Sequence, residues 1–234
     1  MRGNRDAALE LGSIDGFIRH ALLKRIGVKH GFGTRNAVAP GRVLCAEQVH
    51  AAEVARVGSG GELDRGRADA VMSDRGGARV GVVTADCVPI LASLTSGRGV
   101  VAIHAGWRGL AAGVIGAAIG KLSALGRPGE EIVGVVGPHI GACCYEVDGP
   151  VLDALARRFG PRVESFAESS RPGHSHLDLG GLAEAELREA GLAATGIARV
   201  EAACTFCNPE RFDSYRRQGD RAGRLLHYII TSPP

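Results

Sequence analysis

The chain lacks a strong charge of either sign. Its 234 residues hold 28 Lys and Arg against 25 Asp and Glu, a formal charge of +3. A nucleic-acid binder carries a more lopsided balance and a clear basic face, so nucleic acid is not an expected partner. Long apolar runs are missing too. The longest weakly polar stretch, Leu110 to Gly120, is too short to span a bilayer, which excludes a membrane helix. Charges at Arg2, Arg5, Asp6, Glu10, Asp15 and Arg19 break up the N-terminal stretch and leave no apolar region of a signal peptide. The expectation is a cytoplasmic protein whose six cysteines stay reduced. Methionine is scarce, with only Met1 and Met72, and there is one His-x-His pair, His174-Ser175-His176. A set of copper centres would have little to draw on.

Glycine, by contrast, is abundant. The 35 glycines exceed a usual share of about 7% and imply many tight turns and close backbone approaches. Strands are predicted over Val28–Phe32, Val43–Val49, Glu53–Val57, Ala68–Ser73, Val80–Thr84, Pro89–Leu94, Gly99–His104, Ile132–Val136, Ala198–Cys204 and Leu225–Ile230. Helices are predicted over Leu110–Leu125, from Pro150 to Phe159, and over Asp178–Ala190. In the first helix Gly109, Gly113, Gly116 and Gly120 fall on one stripe, which suggests close approach to a sheet. Glu164 to His176 reads as a polar loop. No repeat, linker or composition break divides the chain. One domain of mixed α and β type over residues 1–234 is expected, with its ordered core at about 28–230.

The chemistry concentrates at three strand ends. His50 follows Gln48-Val49, Cys87 follows Thr84-Ala85-Asp86, and His104 opens Ala105-Gly106-Trp107-Arg108-Gly109. Two imidazoles and a thiolate form a three-ligand set of the kind a catalytic zinc uses with one position left open. The ligands lie 37 and 17 residues apart in the chain, so only the fold can assemble them. Cys87 with His104 as base is also a nucleophile pair that needs no metal, and the sequence leaves both uses open. Asp86, next to Cys87, joins these two as a catalytic candidate. Arg35, Arg108 and Arg216 are the candidate anion clamp, since guanidinium forks suit phosphate, while Tyr215 or Trp107 could stack on a purine ring. Cys143-Cys144 and Cys204-x-x-Cys207 read as packing and turn residues rather than a four-thiolate zinc site, because vicinal cysteines seldom share a metal and the CxxC lacks a glycine.

These stretches occur in a set order. His30-Gly31-Phe32-Gly33-Thr34-Arg35, Gln48-Val49-His50, Ala68-Asp69-Ala70, Thr84-Ala85-Asp86-Cys87-Val88-Pro89 and Ala102-Ile103-His104-Ala105-Gly106-Trp107-Arg108-Gly109 come first. Gly137-Pro138-His139-Ile140-Gly141-Ala142-Cys143-Cys144-Tyr145-Glu146-Val147, Leu177-Asp178-Leu179, Cys204-Thr205 and Ser214-Tyr215-Arg216-Arg217 follow. The whole resembles the YfiH family, labelled a multicopper polyphenol oxidase or laccase-domain family and also purine nucleoside phosphorylase or peptidoglycan editing factor. The resemblance implies an α+β fold with α/β/β/α layers, like the cytotoxic-necrotising-factor and YfiH cysteine hydrolases. It implies zinc, rather than copper, held by residues matching His50, Cys87 and His104. It also implies phosphorolysis of adenosine, inosine and S-methyl-5'-thioadenosine, with adenosine deamination. The partners would be a purine nucleoside and phosphate, and the chain would act as a monomer. A cysteine hydrolase acting on peptidoglycan precursors through Cys87 and His104 is the alternative, and a copper-dependent polyphenol oxidase stands third.

Overall fold

The computed structural model describes residues 15–233. The N-terminal charges up to Glu10, and Met1, lie outside them. A six-stranded sheet forms the centre, in the order β12 (Ile197–Arg199), β8 (Ile132–Val136), β6 (Val88–Leu94), β7 (Val100–Ala105), β4 (Ala70–Ser73), β3 (Val54–Arg56). A four-stranded sheet, β1 (Phe17–Ile18), β2 (His30–Gly33), β13 (Leu225–Ile230) and β5 (Arg79–Thr84), packs against one face of it. Helices cover the other face: α2 (Trp107–Ala112), α3 (Val114–Ser123), α4 (Gly149–Phe159) and α5 (Leu179–Glu189). The short α1 (Ala21–Arg25) contributes Leu22 and Leu23 to the core between the sheets. The mixed α and β architecture expected from the sequence is therefore found, with helices over sheet over sheet.

The central strands are apolar on both faces because both faces are covered. All residues of β6 and β7 are buried. Each fully buried Val, Leu or Ile there contributes about 1.5–3 kcal/mol. Alternate residues feed different cores: Ile90, Ile103 and Val101 face the helices, and Leu91, Ala102 and Val100 face the second sheet. Pro89 is accommodated near the start of β6, opposite His104 of β7, where a missing N–H is tolerated.

Five expectations need correction. The helix predicted over Leu110–Leu125 is two helices broken at Gly113, which has φ +86° and caps the end of α2 through its N–H to Gly109 and Leu110 carbonyls. The Gly109 end of the glycine stripe meets the sheet, where a Cβ would lie 3.5 Å from the His104 carbonyl, but Gly113 and Gly116 face elsewhere. A Cβ on Gly113 would lie 2.7 Å from the Arg158 guanidinium, and one on Gly116 would meet Arg158 and Glu186. Val114, Ile115, Ala118, Ile119 and Leu122 fill the core instead. Residues Val43 to Val49 form no strand. They run along the free edge of β5 with a single bridge to it, Leu44–Val80, and another, Glu47–Arg67, to the segment before β4, and the Gln48 amide replaces a strand partner by donating to the Val83 carbonyl and accepting its N–H, both at 2.8 Å. The polar loop 164–176 contains a hairpin, β10 (Ala167–Arg171) and β11 (His174–Leu177), which pairs with β9 (Glu146–Asp148). The last internal strand stops at Arg199, and the chain turns through Ala202 at φ +49°.

Two buried histidines make the fold acid-sensitive. His30 donates from Nδ1 to the Val28 carbonyl and accepts the His20 N–H at Nε2, so a second proton would remove that acceptor. Burial lowers its pKa to about 4, and that of His227 to about 3. A histidine held neutral in the fold and titrating near ~6.5 when unfolded contributes stability that is present above pH ~6.5. That stability is lost as pH falls toward the folded pKa. Urea denaturation at pH 7 and pH 5 is expected to show a drop that His30→Gln reduces by about 2 kcal/mol; an equal drop in the variant would refute this account. Gly113→Ala is expected to cost at least ~1–2 kcal/mol through its left-handed backbone, measured by the same method.

Candidate active site

The site lies at the junction of β5, β6 and β7. Cys87 occupies the short link between β5 and β6, and His104 ends β7 directly across from Pro89. The loop before β3 brings His50 alongside, with its ring edge-on to His104 at 4.9 Å between centroids. One nitrogen of each histidine and the Cys87 sulfur all lie within 4.8 Å of one another. Gly106 makes room for this cluster, since a Cβ there would come within 2.9 Å of Cys87 Sγ and 3.3 Å of the His50 ring.

Asp69 organises the cluster from behind. Fully buried, it accepts the N–H groups of Val49, His50 and Ala51 at 2.7–3.1 Å and bonds His104 Nδ1 at 2.8 Å. Those amide bonds hold His50 in a left-handed conformation, φ +58°, which a residue with a Cβ seldom adopts. The bond to Nδ1 leaves His104 Nε2 for Cys87. Burial raises the Asp69 pKa, but its bonds to His104 and to the loop amides outweigh that and lower it. Burial opposes a charged His104 as well, yet Asp69 and the Cys87 sulfur raise its pKa to about 9. For Cys87, burial works against the thiolate, while hydrogen bonds and charge from His104 and His50 bring the thiol down to about 6. The pair thus favours imidazolium and thiolate.

This donor set fits a metal ion. Two imidazoles and a thiolate converge from two loops and the end of β7, and a carboxylate orients one imidazole in the manner usual for a metal-bound histidine. Met72, buried within β4, belongs to the helix-side core. It is therefore not available as the axial methionine that a blue-copper site adds to two histidines and a cysteine. His174 and His176 belong to neither of the two groups of clustered ligand side chains.

A cavity of about 730 Å³ opens over the cluster. Its walls carry Trp107, Tyr145 and Tyr215 as aromatic surfaces and Arg108, Arg216 and Arg224 as cations. Arg108 lies 4.4 Å over the Trp107 ring and Arg216 lies 5.2 Å over Tyr145. Arg216 also donates to the Glu146 carbonyl. Of the residues proposed from sequence, the fold brings together His50, Cys87, Asp86, His104, Arg108, Tyr215 and Arg216. Arg35 is not brought to this cavity. It faces Asp213 at 3.5 Å and the Pro209 carbonyl at 2.9 Å.

Asp86, at φ +86°, turns its carboxylate to the segment 205–216. It accepts from Thr205 Oγ1 at 2.6 Å, Ser214 Oγ at 3.0 Å and the Arg216 N–H at 2.6 Å. Sequence reasoning singles out neither Asp69 nor Tyr145 as a site residue. For Asp69 the signal was there, a carboxylate enclosed by Ala68, Ala70 and Val71 at the start of an apolar strand.

A cavity with convergent polar groups, perturbed pKa values and a ready ligand set defines an enzyme-type site. The sequence profile described as multi-copper polyphenol oxidoreductase laccase matches residues 31–232, and the chain belongs to this family, the YfiH family. It is 39% identical over 185 residues to the purine nucleoside phosphorylase PA4543 of Pseudomonas aeruginosa, covering 78% of this chain and 72% of that one. It is 33% identical over 159 residues to the adenosine deaminase RL5 of an unknown prokaryote, covering 68% and 60%. Among solved structures, YlmD from Geobacillus stearothermophilus superposes with a TM-score of 0.82 at 27% identity, covering 94% and 98%.

Asp69→Asn removes the negative charge and leaves one acceptor oxygen for two sets of donors, so His104 or the loop amides lose their partner. Metal affinity is expected to fall by about 10–100-fold, read by competition with a coloured chelator. Unchanged affinity in a folded variant would show that Asp69 does not support a ligand.

Proposed function

We propose that the chain is a zinc-dependent purine nucleoside enzyme. It cleaves adenosine, inosine or S-methyl-5'-thioadenosine with phosphate to free base and sugar 1-phosphate, and it deaminates adenosine. The observation that carries this reading is the convergence of His50, Cys87 and His104 beneath a cavity walled by arginines and aromatic rings. The curated relatives named purine nucleoside phosphorylase and adenosine deaminase support it. We read it as a cytoplasmic protein acting as a monomer. No helix among the described residues is long and apolar enough to cross a membrane.

In this reading each part of the wall has a task. Arg108, Arg216 and Arg224 hold phosphate near the sugar, because guanidinium forks match its oxygens. Trp107, Tyr145 and Tyr215 offer faces to the purine ring. His50, Cys87 and His104 would hold zinc, which when bound supplies a Lewis acid and lowers the pKa of water toward ~7. Asp69 keeps His104 in the tautomer that presents Nε2. Asp86 acts as a positioning residue, tying the Arg216 backbone to the loop that carries Cys87.

A second reading is favoured by one observation. Asp69, His104 and Cys87 line up as carboxylate, imidazole and thiol, with the thiol brought down to about 6. That arrangement is also the one of a cysteine hydrolase, which would attack a peptide-like bond in cell-wall precursors.

The readings part on metal and phosphate. Base release from adenosine is expected to need phosphate, to stop on chelation and to return with zinc. Cys87→Ser is expected to lower kcat/KM at least ~100-fold, together with bound metal. Turnover of a peptide substrate that survives chelation, with a covalent adduct on Cys87, would establish the hydrolase instead.

A further inference from the structure

The four remaining clustered cysteines are not used by the site above. Cys143 and Cys144 lie on the turn after β8, and Cys204 and Cys207 on the loop after β12. These strands run parallel and in register, Ile197 beside Gly134 and Arg199 beside Val136. The pairing continues beyond them through the Val200 N–H to the Val136 carbonyl and the Thr205 N–H to the His139 carbonyl. The fold therefore sets both loops at the same sheet end. All four sulfurs lie within 4.8 Å of one another.

The spacing is informative. Zinc–thiolate bonds of ~2.3 Å at a tetrahedral centre place the sulfurs about 3.8 Å apart. Cys143 lies 3.7 Å from both Cys204 and Cys207, and Cys144 lies 3.2 Å from Cys207. Disulfide bonding would need only pairs of sulfurs, at ~2.05 Å, and gives no reason for all four to gather.

A second observation concerns the backbone. The Gly141 N–H donates to Cys204 Sγ at 3.2 Å. An amide donor turned onto a thiolate stabilises it without a proton. The loop is held rigid around it: Asn208 donates to the Cys204 carbonyl, and Arg217 donates to those of Thr205 and Phe206, each at 2.8 Å. Arg217 also sets a fixed positive charge beside a cage that would carry excess negative charge. The objection from sequence, that vicinal cysteines seldom share a metal, gives way because the turn at Gly141 brings both sulfurs to the same side.

We propose that Cys143, Cys144, Cys204 and Cys207 form a second metal centre, a closed four-thiolate zinc site. With four protein ligands it offers no open position and is structural. Its place gives it a purpose. Thr205 beside Cys204 holds Asp86, and Tyr145 beside Cys144 lines the cavity, so the ion would staple two loops that carry site residues.

The test uses the full chain, purified with reductant and without a metal-affinity tag, and counts zinc per protein. About two zinc ions per chain are expected in the wild type, and about one in Cys207→Ser and in His50→Ala. Cobalt substitution of the wild type should give the intense thiolate-to-cobalt bands of a four-sulfur tetrahedral site, so the proposal stands testable even where a variant fails to fold. The same zinc content in wild type and folded Cys207→Ser would overturn it. So would cysteines missing from a thiol titration of a second preparation purified without reductant and denatured, the mark of disulfides, or iron in place of zinc. A single zinc lost in Cys207→Ser but kept in His50→Ala would support this centre while counting against the catalytic one, so the two proposals fail separately.

Discussion

One buried carboxylate holds the site together. Asp69 sits at the start of a core strand, where an uncompensated charge would cost several kcal/mol. Three consecutive loop amides and the ring of His104 satisfy it instead. The backbone carbonyl of the same residue takes the His104 N–H. A single residue thereby fixes the shape of the His50 loop, the orientation of His104 and, through His104, the charge on Cys87. The six-stranded sheet supplies the rigidity, since β4 and β7 are antiparallel neighbours with apolar packing on both sides.

The two histidines and the cysteine behave as one electrostatic unit. Neither the thiolate nor the imidazolium would be favoured alone at this depth, because burial works against each. Each is stabilised by the other, and Asp69 adds the remaining negative charge. This explains why the same three side chains suit both metal ligation and nucleophilic chemistry. What separates the two uses is the rest of the cavity, and its three arginines and three aromatic rings suit an anion and a flat base better than a bare peptide.

Much of this was legible in the chain. The runs Val88–Leu94 and Val100–Ala105 announce buried strands by their length and β-branched content, and ligand residues at their ends follow from the way loops gather at sheet edges. Gly149-Pro150 and Gly160 bracket α4 as capping rules expect. The failures have physical causes. Gly113 reads as a tolerated helix glycine until Arg158, 45 positions later in the sequence, occupies the space of its Cβ. Gln48 reads as a strand residue, yet its side chain performs the pairing that the strand would have made. The gathering of the four cysteines is not visible in the chain, because it depends on the parallel register of β8 and β12, a contact between segments distant in sequence. Arg35 belongs to a motif but is held away by Asp213 and Pro209.

The left-handed backbone at His50 carries a further meaning for how such a protein can change. Glycine would relax that position by about 1–2 kcal/mol, so drift toward a more stable fold runs directly through loss of the imidazole. A lineage that no longer used the centre would be pulled away from histidine by folding alone. The strain at His50 is instead held by the three loop amides on Asp69, so the imidazole keeps its place at the expense of backbone ease.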